Sequence, residues 1–242
     1  MPRFFTDPSA LQNGTAVLTG DAARHMAVLR LRPGEAVTLS TSDGWEHHCT
    51  LSALSGGEAV LDVVETVPNN SEPKLRATVF MAYAKADKLE HVIQKATELG
   101  AAAIVAFPSQ RCVSRPEDKA LKKKLERWQA IAQSAAEQSG RGIVPPVTAL
   151  SSWQEALHLA AQAQLGLFFY ENETQTHLAD LMTPTPDTVS IFTGPEGGFS
   201  PQEVQEAQAA GLRSCSLGPR ILRCETAPLC ALSALLYAAG EL

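Results

Sequence analysis

Long apolar runs, paired cysteines and an apolar leader are all missing from this sequence. None of its apolar stretches approaches the roughly 20 residues that a membrane-spanning helix needs, and residues 1–7 lack the apolar stretch of a signal peptide. The five cysteines are odd in number and never show Cys-x-x-Cys spacing, which argues against a disulfide framework or a zinc site. We therefore expect a cytoplasmic protein with reduced cysteines, no membrane association and no metal.

Two glycine-bearing loops organise the C-terminal part of the chain. The first glycine loop is residues 194–200, and the second glycine loop is residues 217–227. Each follows a strand-like apolar run, at 189–193 and 214–217, and each opens into a helical pattern. A strand, a glycine-rich turn and a helix together form the geometry of a nucleotide-type ligand site.

The first glycine loop lacks two common phosphate-binding fingerprints. No Lys-Ser or Lys-Thr pair follows it, and it does not match Gly-x-Gly-x-x-Gly. Glu196 also argues against a bound polyphosphate, because like charges repel at short range. Gly194, Gly197 and Gly198 permit positive φ angles and let a ligand come close to backbone amides. The loop therefore favours a neutral or cationic ligand with an adenosine-like body.

The pattern of the chain changes near residue 70. Residues 1–70 contain short strand-like runs separated by turn residues, which predicts a small β-barrel. Residues 73–242 alternate strands and helices, which predicts an α/β domain with a mainly parallel sheet. Ser200, Pro201 and Glu203 carry the capping signature of a helix start. Further helices are expected at 87–99, 119–139, 153–161 and 225–239.

The two glycine loops resemble those of the family of small-subunit ribosomal RNA uridine-N3 methyltransferases, which belong to the knotted SPOUT class of S-adenosylmethionine enzymes. One departure from the family pattern is Cys224, where family members commonly carry Thr. Further matches run along nearly the whole chain in one order, at residues 2–5, 25–34, 94–100, 111–112 and 137–141. So many separated matches argue against chance similarity.

The resemblance implies both a fold and a reaction. The implied fold is a PUA-like β-barrel RNA-binding domain over 1–70, followed over 73–242 by a SPOUT-type α/β trefoil-knot methyltransferase domain. The last helix would pass through the knot and help to form a homodimer. The implied reaction is the S-adenosylmethionine-dependent methylation of N3 of a specific uridine in 16S rRNA of the small ribosomal subunit.

The same resemblance assigns roles to individual residues. The cofactor would be held by Tyr170, Thr193, Gly194, Pro195, Glu196, Gly197, Gly198, Leu217, Gly218, Ile221 and Leu222. Arg223 is a catalytic candidate, because a fixed guanidinium can stabilise a uracilate anion at O2 or O4. Its alternative role is a salt bridge to Glu225 or Glu196. Glu225 is a candidate proton acceptor, with a structural acid at a helix start as the alternative. No histidine lies near the glycine loops in the sequence, so we expect no imidazole base.

Basic residues are concentrated in the middle of the chain. Residues 73–147 hold 13 Lys and Arg against 7 Asp and Glu, whereas the whole chain has a formal charge of −6. The middle third therefore predicts a phosphate-facing surface, and the alternative for the lysines at 119–124 is a solvated helix face. Lys95 and Glu98 are one helical turn apart and can instead pair with each other. RNA contacts are expected at Arg3, Arg24, Arg30, Lys88, Lys95, Arg111, Gln138 and Arg141.

Two other functions stay open at the level of sequence. A SPOUT enzyme could methylate another RNA position, such as a tRNA base or a ribose hydroxyl, although the matches before residue 145 speak against this alternative. A non-catalytic RNA-binding module would have no affinity for S-adenosylmethionine. Such a module leaves the two glycine loops unexplained.

Overall fold

The structure, a computed structural model, describes residues 1–242 apart from the side chain of Asp118, and it divides them into two compact units. The first unit comprises Met1–Glu72 and Ala136–Val144. The second unit comprises Pro73–Ala135 and Pro145–Leu242. Within this described part of the chain, none of the helices combines the length and the apolar character that a bilayer crossing requires.

The first unit is built on a six-stranded sheet. Its elements are β1 (Arg3–Phe5), β2 (Leu11–Gln12), β3 (Thr15–Thr19), α1 (Gly20–Val28), β4 (Ala36–Ser40), β5 (Trp45–Ser55) and β6 (Glu58–Pro68). The strand order is β1-β4-β5-β6-β3-β2, and every pair is antiparallel except β1 with β4. Phe4, Met26, Leu39 and Leu51 are buried in its core. The β-rich N-terminal fold predicted from the turn spacing is confirmed.

The second unit is an α/β fold around a parallel sheet. Its strands are β7 (Arg76–Ala82), β8 (Ala103–Phe107), β9 (Val147–Ala149), β10 (Leu165–Phe169), β11 (Thr188–Thr193) and β12 (Arg213–Cys215). Their order is β12-β10-β11-β7-β8-β9, and all five pairs are parallel. The longer strands are apolar runs because a parallel sheet is covered on both faces. The predicted parallel sheet is confirmed.

Helices follow the strands of this sheet. They are α2 (Lys88–Leu99), α3 (Asp118–Ser139), α4 (Trp153–Ala160), α5 (Leu178–Leu181), α6 (Pro201–Ala209) and α7 (Ala227–Ala238). Helix α3 begins in the second unit, and its last residues, from Ala136 onward, belong to the first unit. The helices predicted at 87–99, 119–139 and 153–161 are confirmed to within one residue at each end. The last helix begins two residues later than predicted, at Ala227, with Pro228 in its first turn.

An aromatic cluster fills part of the core of the second unit. The ring centroids of Phe107 and Phe192 are 4.4 Å apart, and those of Phe168 and Phe199 are also 4.4 Å apart. Trp153 meets the Phe192 ring edge-on at 5.4 Å. Phe199 belongs to the first glycine loop and is only 2% exposed. The core therefore anchors this loop, because the ring cannot leave it without opening a large cavity.

Candidate functional site

The two glycine loops line one cavity at the carboxyl ends of β10, β11 and β12. Phe169, Thr193 and Cys215, the last residues of these three strands, all contribute to its wall. The cavity has a volume of about 700 Å³, which lies within the range of about 300–1,000 Å³ that small-molecule sites occupy. In open parallel sheets, ligands bind outside the carboxyl ends of the strands. The fold therefore marks this cavity as a ligand site.

All eleven residues that the sequence assigns to the cofactor line this cavity, and Arg223 lines it with them. Their binding role stays a prediction, whereas their grouping is a structural finding. Thr193 is 2% exposed, and its hydroxyl donates a hydrogen bond to the carbonyl oxygen of Phe80 at 3.1 Å. Ile221, in contrast, is 85% exposed. The two loops reach the same cavity because β11 and β12, the strands before them, both neighbour β10 in the sheet.

The three glycines of the first glycine loop are required for different reasons. Of these three, only Gly198 adopts the positive φ that glycine permits, at +65°. A Cβ at Gly194 would lie 3.1 Å from the Phe199 ring, and a Cβ at Gly197 would lie 3.2 Å from Cβ of Arg111. Space, not backbone conformation, therefore selects glycine at 194 and 197.

The end of the first glycine loop is fixed by the predicted capping box, which is confirmed. Ser200 Oγ accepts the backbone N–H of Glu203 at 3.2 Å, and Glu203 Oε2 accepts the backbone N–H of Ser200 at 2.8 Å. The other carboxylate oxygen of Glu203 accepts the Ser109 hydroxyl at 2.8 Å and the Gln110 backbone N–H at 2.7 Å. Glu203 therefore ties the start of α6 to the segment after β8.

An ion cluster joins the two glycine loops. Nζ of Lys88, the first residue of α2, lies 3.2 Å from Oε1 of Glu196 and 3.4 Å from Oε2 of Glu225. The same Glu196 oxygen accepts the backbone N–H of Lys85 at 2.9 Å. Glu225 does not itself line the cavity and reaches it through Lys88, which does. Lys88, predicted as an RNA contact, thus stands at the wall of the candidate ligand site.

All members of this cluster titrate away from their usual ranges. Burial raises the pKa of Glu196, but the Lys85 N–H and the Lys88 ammonium outweigh it, and the pKa is lowered. Burial likewise raises the pKa of Glu225, but its own backbone N–H, the Cys224 thiol and Lys88 lower it overall. For Lys88, burial lowers the pKa, but hydrogen bonds and the opposite charges raise it overall. Burial, with the nearby carboxylates, raises the pKa of the Cys224 thiol to about 12.

Arg223 is exposed at the cavity and stands apart from this cluster. The salt bridges within the described part of the chain do not include Arg223, so the alternative pairing with Glu225 or Glu196 is not formed. Lys88 already contacts both carboxylates. The guanidinium can therefore face a ligand in the cavity.

Six further polar residues line the cavity without being predicted: Glu171, Glu173, Thr174, His177, Ser216 and Arg220. His177 is distant from the glycine loops in the sequence, but it lines the cavity and forms a β-bridge with Ser216, directly before the second glycine loop; the expected absence of an imidazole base stays a prediction. Sequence position was the signal that could have identified Glu171, Glu173 and His177. They follow β10, and the chain after a parallel strand leaves the sheet at its carboxyl edge, where the cavity lies. The backbone N–H of His177 donates to Oδ2 of Asp180 at 3.2 Å, and the backbone N–H of Asp180 donates to the carbonyl oxygen of His177 at 3.1 Å.

The residues predicted to contact RNA fall into different environments. Arg111 Nη1 donates to the carbonyl oxygen of Gly197 at 3.0 Å, beside the cavity. Lys95 pairs with Glu98, with Nζ 2.8 Å from Oε1, which is the alternative raised from the sequence. Arg24 is exposed and pairs with Asp21, and both Arg30 and Gln138 are exposed.

Arg3 and Arg141 are engaged within the first unit. Arg141 is 4% exposed, and its Nη2 lies 2.5 Å from Oε2 of Glu72. Arg3 Nη1 lies 2.6 Å from Oε1 of Glu46 and also donates to the carbonyl oxygen of Arg141 at 3.4 Å. These two guanidinium groups therefore hold the first unit together, and their geometry gives no support to their predicted contact with RNA.

The cysteines are free thiols throughout the described chain. Burial, with the charge of Asp62, raises the pKa of Cys49 to about 11. Burial, with nearby carboxylates, raises the pKa of Cys215 to about 12. Among the residues whose side chains are described, His, Cys, Asp and Glu form no group of three or more arranged to hold a metal ion.

Two family models match this chain. One, described as an RNA methyltransferase domain, matches residues 71–236, and the other, described as an RNA methyltransferase PUA domain, matches residues 18–64. The ribosomal RNA small subunit methyltransferase E of Bacillus subtilis is 36% identical, over 98% of this chain and 96% of that protein. The protein of the same name from Mycobacterium bovis is 33% identical, over 96% of this chain and 89% of that protein.

Solved structures agree with the sequence relatives. A ribosomal RNA small subunit methyltransferase E from Neisseria gonorrhoeae, bound to S-adenosylmethionine, superposes with a TM-score of 0.88 at 36% identity, over 98% of this chain and 97% of that one. A methyltransferase from Legionella pneumophila in complex with the same cofactor gives a TM-score of 0.89 at 31% identity, over 98% and 97% of the two chains. The predicted PUA-like and SPOUT-type α/β folds are thereby confirmed. The chain therefore belongs to the ribosomal RNA small subunit methyltransferase E family.

Proposed function

We propose that this chain transfers a methyl group from S-adenosylmethionine to 16S ribosomal RNA of the small subunit. The observation that carries the proposal is the meeting of both glycine loops at one cavity, at the carboxyl ends of β10, β11 and β12. Family membership supports it, because relatives with this fold carry the name of this activity and two solved neighbours hold the cofactor.

The cavity fits S-adenosylmethionine by size and by the chemistry of its wall. Its volume of about 700 Å³ suits a ligand of this size, and the glycines of the first loop leave backbone groups accessible. Leu217 and Leu222 supply apolar side chains, while Glu171 and Glu196 supply negative charge. When bound, the cofactor supplies a methyl group that its sulfonium activates, so the protein contributes binding, orientation and electrostatics.

The target atom is proposed to be N3 of a uridine. This nitrogen must lose its imide proton before it can accept a methyl group, and the charge then spreads to O2 and O4. Arg223, exposed at the cavity and free of the Lys88 cluster, is proposed to stabilise that anion. Glu225 is kept as the proposed proton acceptor; its lowered pKa keeps it ionised at neutral pH, and its carboxylate lies behind Lys88 at the cavity wall.

Basic residues beside the cavity are proposed to contact the RNA backbone. Arg111 contacts the first glycine loop and lies at the cavity edge. Four exposed lysines on the first turns of α3 continue this basic surface within the second unit: Lys119, Lys122, Lys123 and Lys124. Arg24 and Arg30 are the exposed candidates of the first unit. In this proposal, residues 1–70 bind RNA and residues 73–242 carry the reaction.

A homodimer and a knotted path for the last helix are further parts of the proposal. Tyr237 on α7 is 77% exposed, and Ile221 in the second glycine loop is 85% exposed. Ile221 lines the ligand cavity, and these two exposed apolar side chains are proposed to contact a second copy. A ribosomal RNA substrate places the protein in the cytoplasm.

Transfer of a labelled methyl group tests the proposal. Purified small ribosomal subunits, large subunits, bulk tRNA and protein-free ribosomal RNA are each incubated with the protein and labelled S-adenosylmethionine. We expect 3-methyluridine in small-subunit RNA after digestion to nucleosides. Label in tRNA or on a ribose would overturn the substrate. Absence of both label and cofactor binding would leave an RNA-binding module as the function.

A further inference from the structure

Lys88, predicted as an RNA contact, joins the two glycine loops through its ion pairs. The sequence places it among the RNA contacts, but its ammonium meets one carboxylate from each glycine loop, Glu196 at 3.2 Å and Glu225 at 3.4 Å. Its Nζ also lies 3.8 Å from Sγ of Cys224. The side chain is 27% exposed, so the two ion pairs are largely shielded from solvent. Among the described ion pairs, those of Lys88 link both glycine loops to one cation.

The contacts of Lys88 decide which cation the two carboxylates hold. Arg223 stands two residues before Glu225 and lines the same cavity as Glu196. An unpaired carboxylate in a shielded site attracts the nearest cation strongly. Without Lys88, neither Glu196 nor Glu225 would have a paired cation. Arg223, whose side chain is exposed, lies in the second glycine loop together with Glu225.

We propose that Lys88 is a positioning residue for methyl transfer, which binds Glu196 and Glu225 together and thereby keeps the guanidinium of Arg223 free to face the target base. This inference rests on the proposed function, because it gives Arg223 a role in that reaction. Lys88 acts through Arg223 and Glu225 and does not itself contact the base. Its removal would leave the residues of the site in place but would redirect the Arg223 guanidinium to a carboxylate.

A simple bracing role for Lys88 makes different predictions. A brace would affect stability and cofactor affinity, and it would leave turnover by the folded, loaded protein unchanged. The positioning role instead predicts a loss of turnover at saturating cofactor. It also predicts that removal of one carboxylate partner in the Lys88→Met background restores part of the loss. Glu196→Gln is suitable, because its amide oxygen can still accept the Lys85 N–H.

Turnover is measured for the full chain and for three variants: Lys88→Met, Lys88→Arg, and Lys88→Met with Glu196→Gln. We expect Lys88→Met to lower kcat about 10- to 100-fold, because a misdirected catalytic group costs this much. Lys88→Arg keeps the positive charge and should return kcat toward the wild-type value, and the double variant should recover part of it. Lys74→Met, an exposed lysine of the second unit, is the control and should match the wild type.

The pH profile adds a readout that separates the two roles. The pKa of Glu225 is held low partly by Lys88, and burial opposes this effect. A brace predicts that Lys88→Met shifts the acid limb of kcat to higher pH, whereas the positioning role predicts a smaller shift, because the Arg223 guanidinium then pairs with a carboxylate in place of Lys88; Lys88→Arg should leave the limb in place under both. The groups that face Glu225 are Lys88 and the Cys224 thiol, and Glu196 faces Lys88 and the Lys85 N–H. The other titratable or charged groups of the cavity are Tyr170, Glu171, Glu173, His177, Cys215, Arg220 and Arg223.

Side-chain NMR of Arg223 decides the inference independently of activity. In protein labelled with ¹⁵N-arginine, the Nε–H signal of Arg223 is assigned by its loss in Arg223→Lys. We expect rapid solvent exchange in the wild type and protection in Lys88→Met, where the guanidinium pairs with Glu196 or Glu225. An unchanged signal, together with wild-type turnover in Lys88→Met, would overturn the inference. An inactive wild-type protein would instead overturn the proposed function, and the Arg223 signal would still test Lys88. If Lys88→Met does not fold, Lys88→Gln replaces it.

Discussion

The ring of Phe199 lies directly against the position that a Cβ at Gly194 would occupy. The residues near the two ends of the first glycine loop therefore limit each other's size. A Cβ built on Gly194 would lie 3.1 Å from Cε2 of Phe199. The ring cannot move away easily, because its centroid is 4.4 Å from that of Phe168 and 5.7 Å from that of Trp153. The core of the second unit thus sets the shape of the loop that lines the ligand cavity.

Replacement of Gly194 tests this relationship. Gly194→Ala should destabilise the protein by about 1–3 kcal/mol, because a methyl group would overpack against a ring that the core holds in place. We also expect weaker binding of S-adenosylmethionine, measured by calorimetry. Phe199→Leu in the Gly194→Ala background is the matched comparison, because the smaller side chain removes the ring atoms that the new Cβ would meet. If Gly194→Ala costs as much stability in the Phe199→Leu background as in the wild type, the role given to Phe199 is contradicted.

Arg223 should be needed for turnover and not for cofactor binding. Arg223→Ala is expected to lower kcat by roughly 10²- to 10³-fold, because it removes a preorganised charge that stabilises the uracilate anion. The affinity for S-adenosylmethionine should stay near that of the wild type. Arg213→Ala, an exposed arginine on β12 outside the cavity, is the control. Unchanged turnover in Arg223→Ala would exclude the proposed role.

The lysines of α3 should contribute to RNA affinity through charge alone. Combined replacement of Lys122, Lys123 and Lys124 by alanine should weaken binding to small-subunit RNA. If each lysine neutralises one phosphate, the slope of log K against log salt should become shallower by about 2. Binding of the cofactor should not change, and Lys74→Ala serves as a control for RNA affinity. An unchanged salt slope would indicate that these lysines form only a solvated helix face.

Arg141 should matter for stability more than for RNA binding. Arg141→Ala would leave the Glu72 carboxylate without its guanidinium partner, which should cost about 1–3 kcal/mol of the free energy of unfolding. Denaturation in urea measures this loss. Arg127→Ala is the control, because the Arg127–Glu90 pair is on the surface, with the Arg127 side chain 68% exposed, and should contribute about 0–1 kcal/mol. A selective loss of RNA affinity, without a loss of stability, would favour the original RNA-contact prediction.

The proposed homodimer can be tested on α7. Tyr237→Glu should shift the protein toward monomers in sedimentation experiments, because a charge would be buried in the apolar contact between copies. Val28→Glu is the matched control, since Val28 and Tyr237 are each 77% exposed and Val28 lies on α1 of the first unit. The same oligomeric state for both variants would show that Tyr237 is not at an interface.

Local signals allowed much of this fold and site to be predicted. The capping box of Ser200 and Glu203 is confirmed. It could be predicted because it depends on residues only three positions apart. The parallel sheet could be predicted because buried strands and the helices between them differ in the spacing of their apolar residues. The reason for glycine at 194 and 197 could not be read from local signals, because it arises from contacts with Phe199 and Arg111 and not from a positive φ.

Contacts between distant residues were beyond the reach of these signals. Lys88 and Cys224 are 136 positions apart, and Arg141 and Glu72 are 69 positions apart. A lysine in a basic region predicts a phosphate contact, and no local pattern shows that two carboxylates surround it. His177 was missed for a related reason, since its β-bridge to Ser216 depends on which strands are neighbours.

By itself, the sequence determined the two glycine loops, the helix starts and the alternation of strands and helices, because each depends on nearby residues and on the conformations their side chains allow. Only the tertiary structure decided that Lys88, and not Arg223, pairs with Glu196 and Glu225. The order β12-β10-β11-β7 brings the loops after β7, β11 and β12 to the same edge of the sheet. That order is a property of the whole packed chain, and ion pairs form between whichever charges the packing brings within a few ångströms.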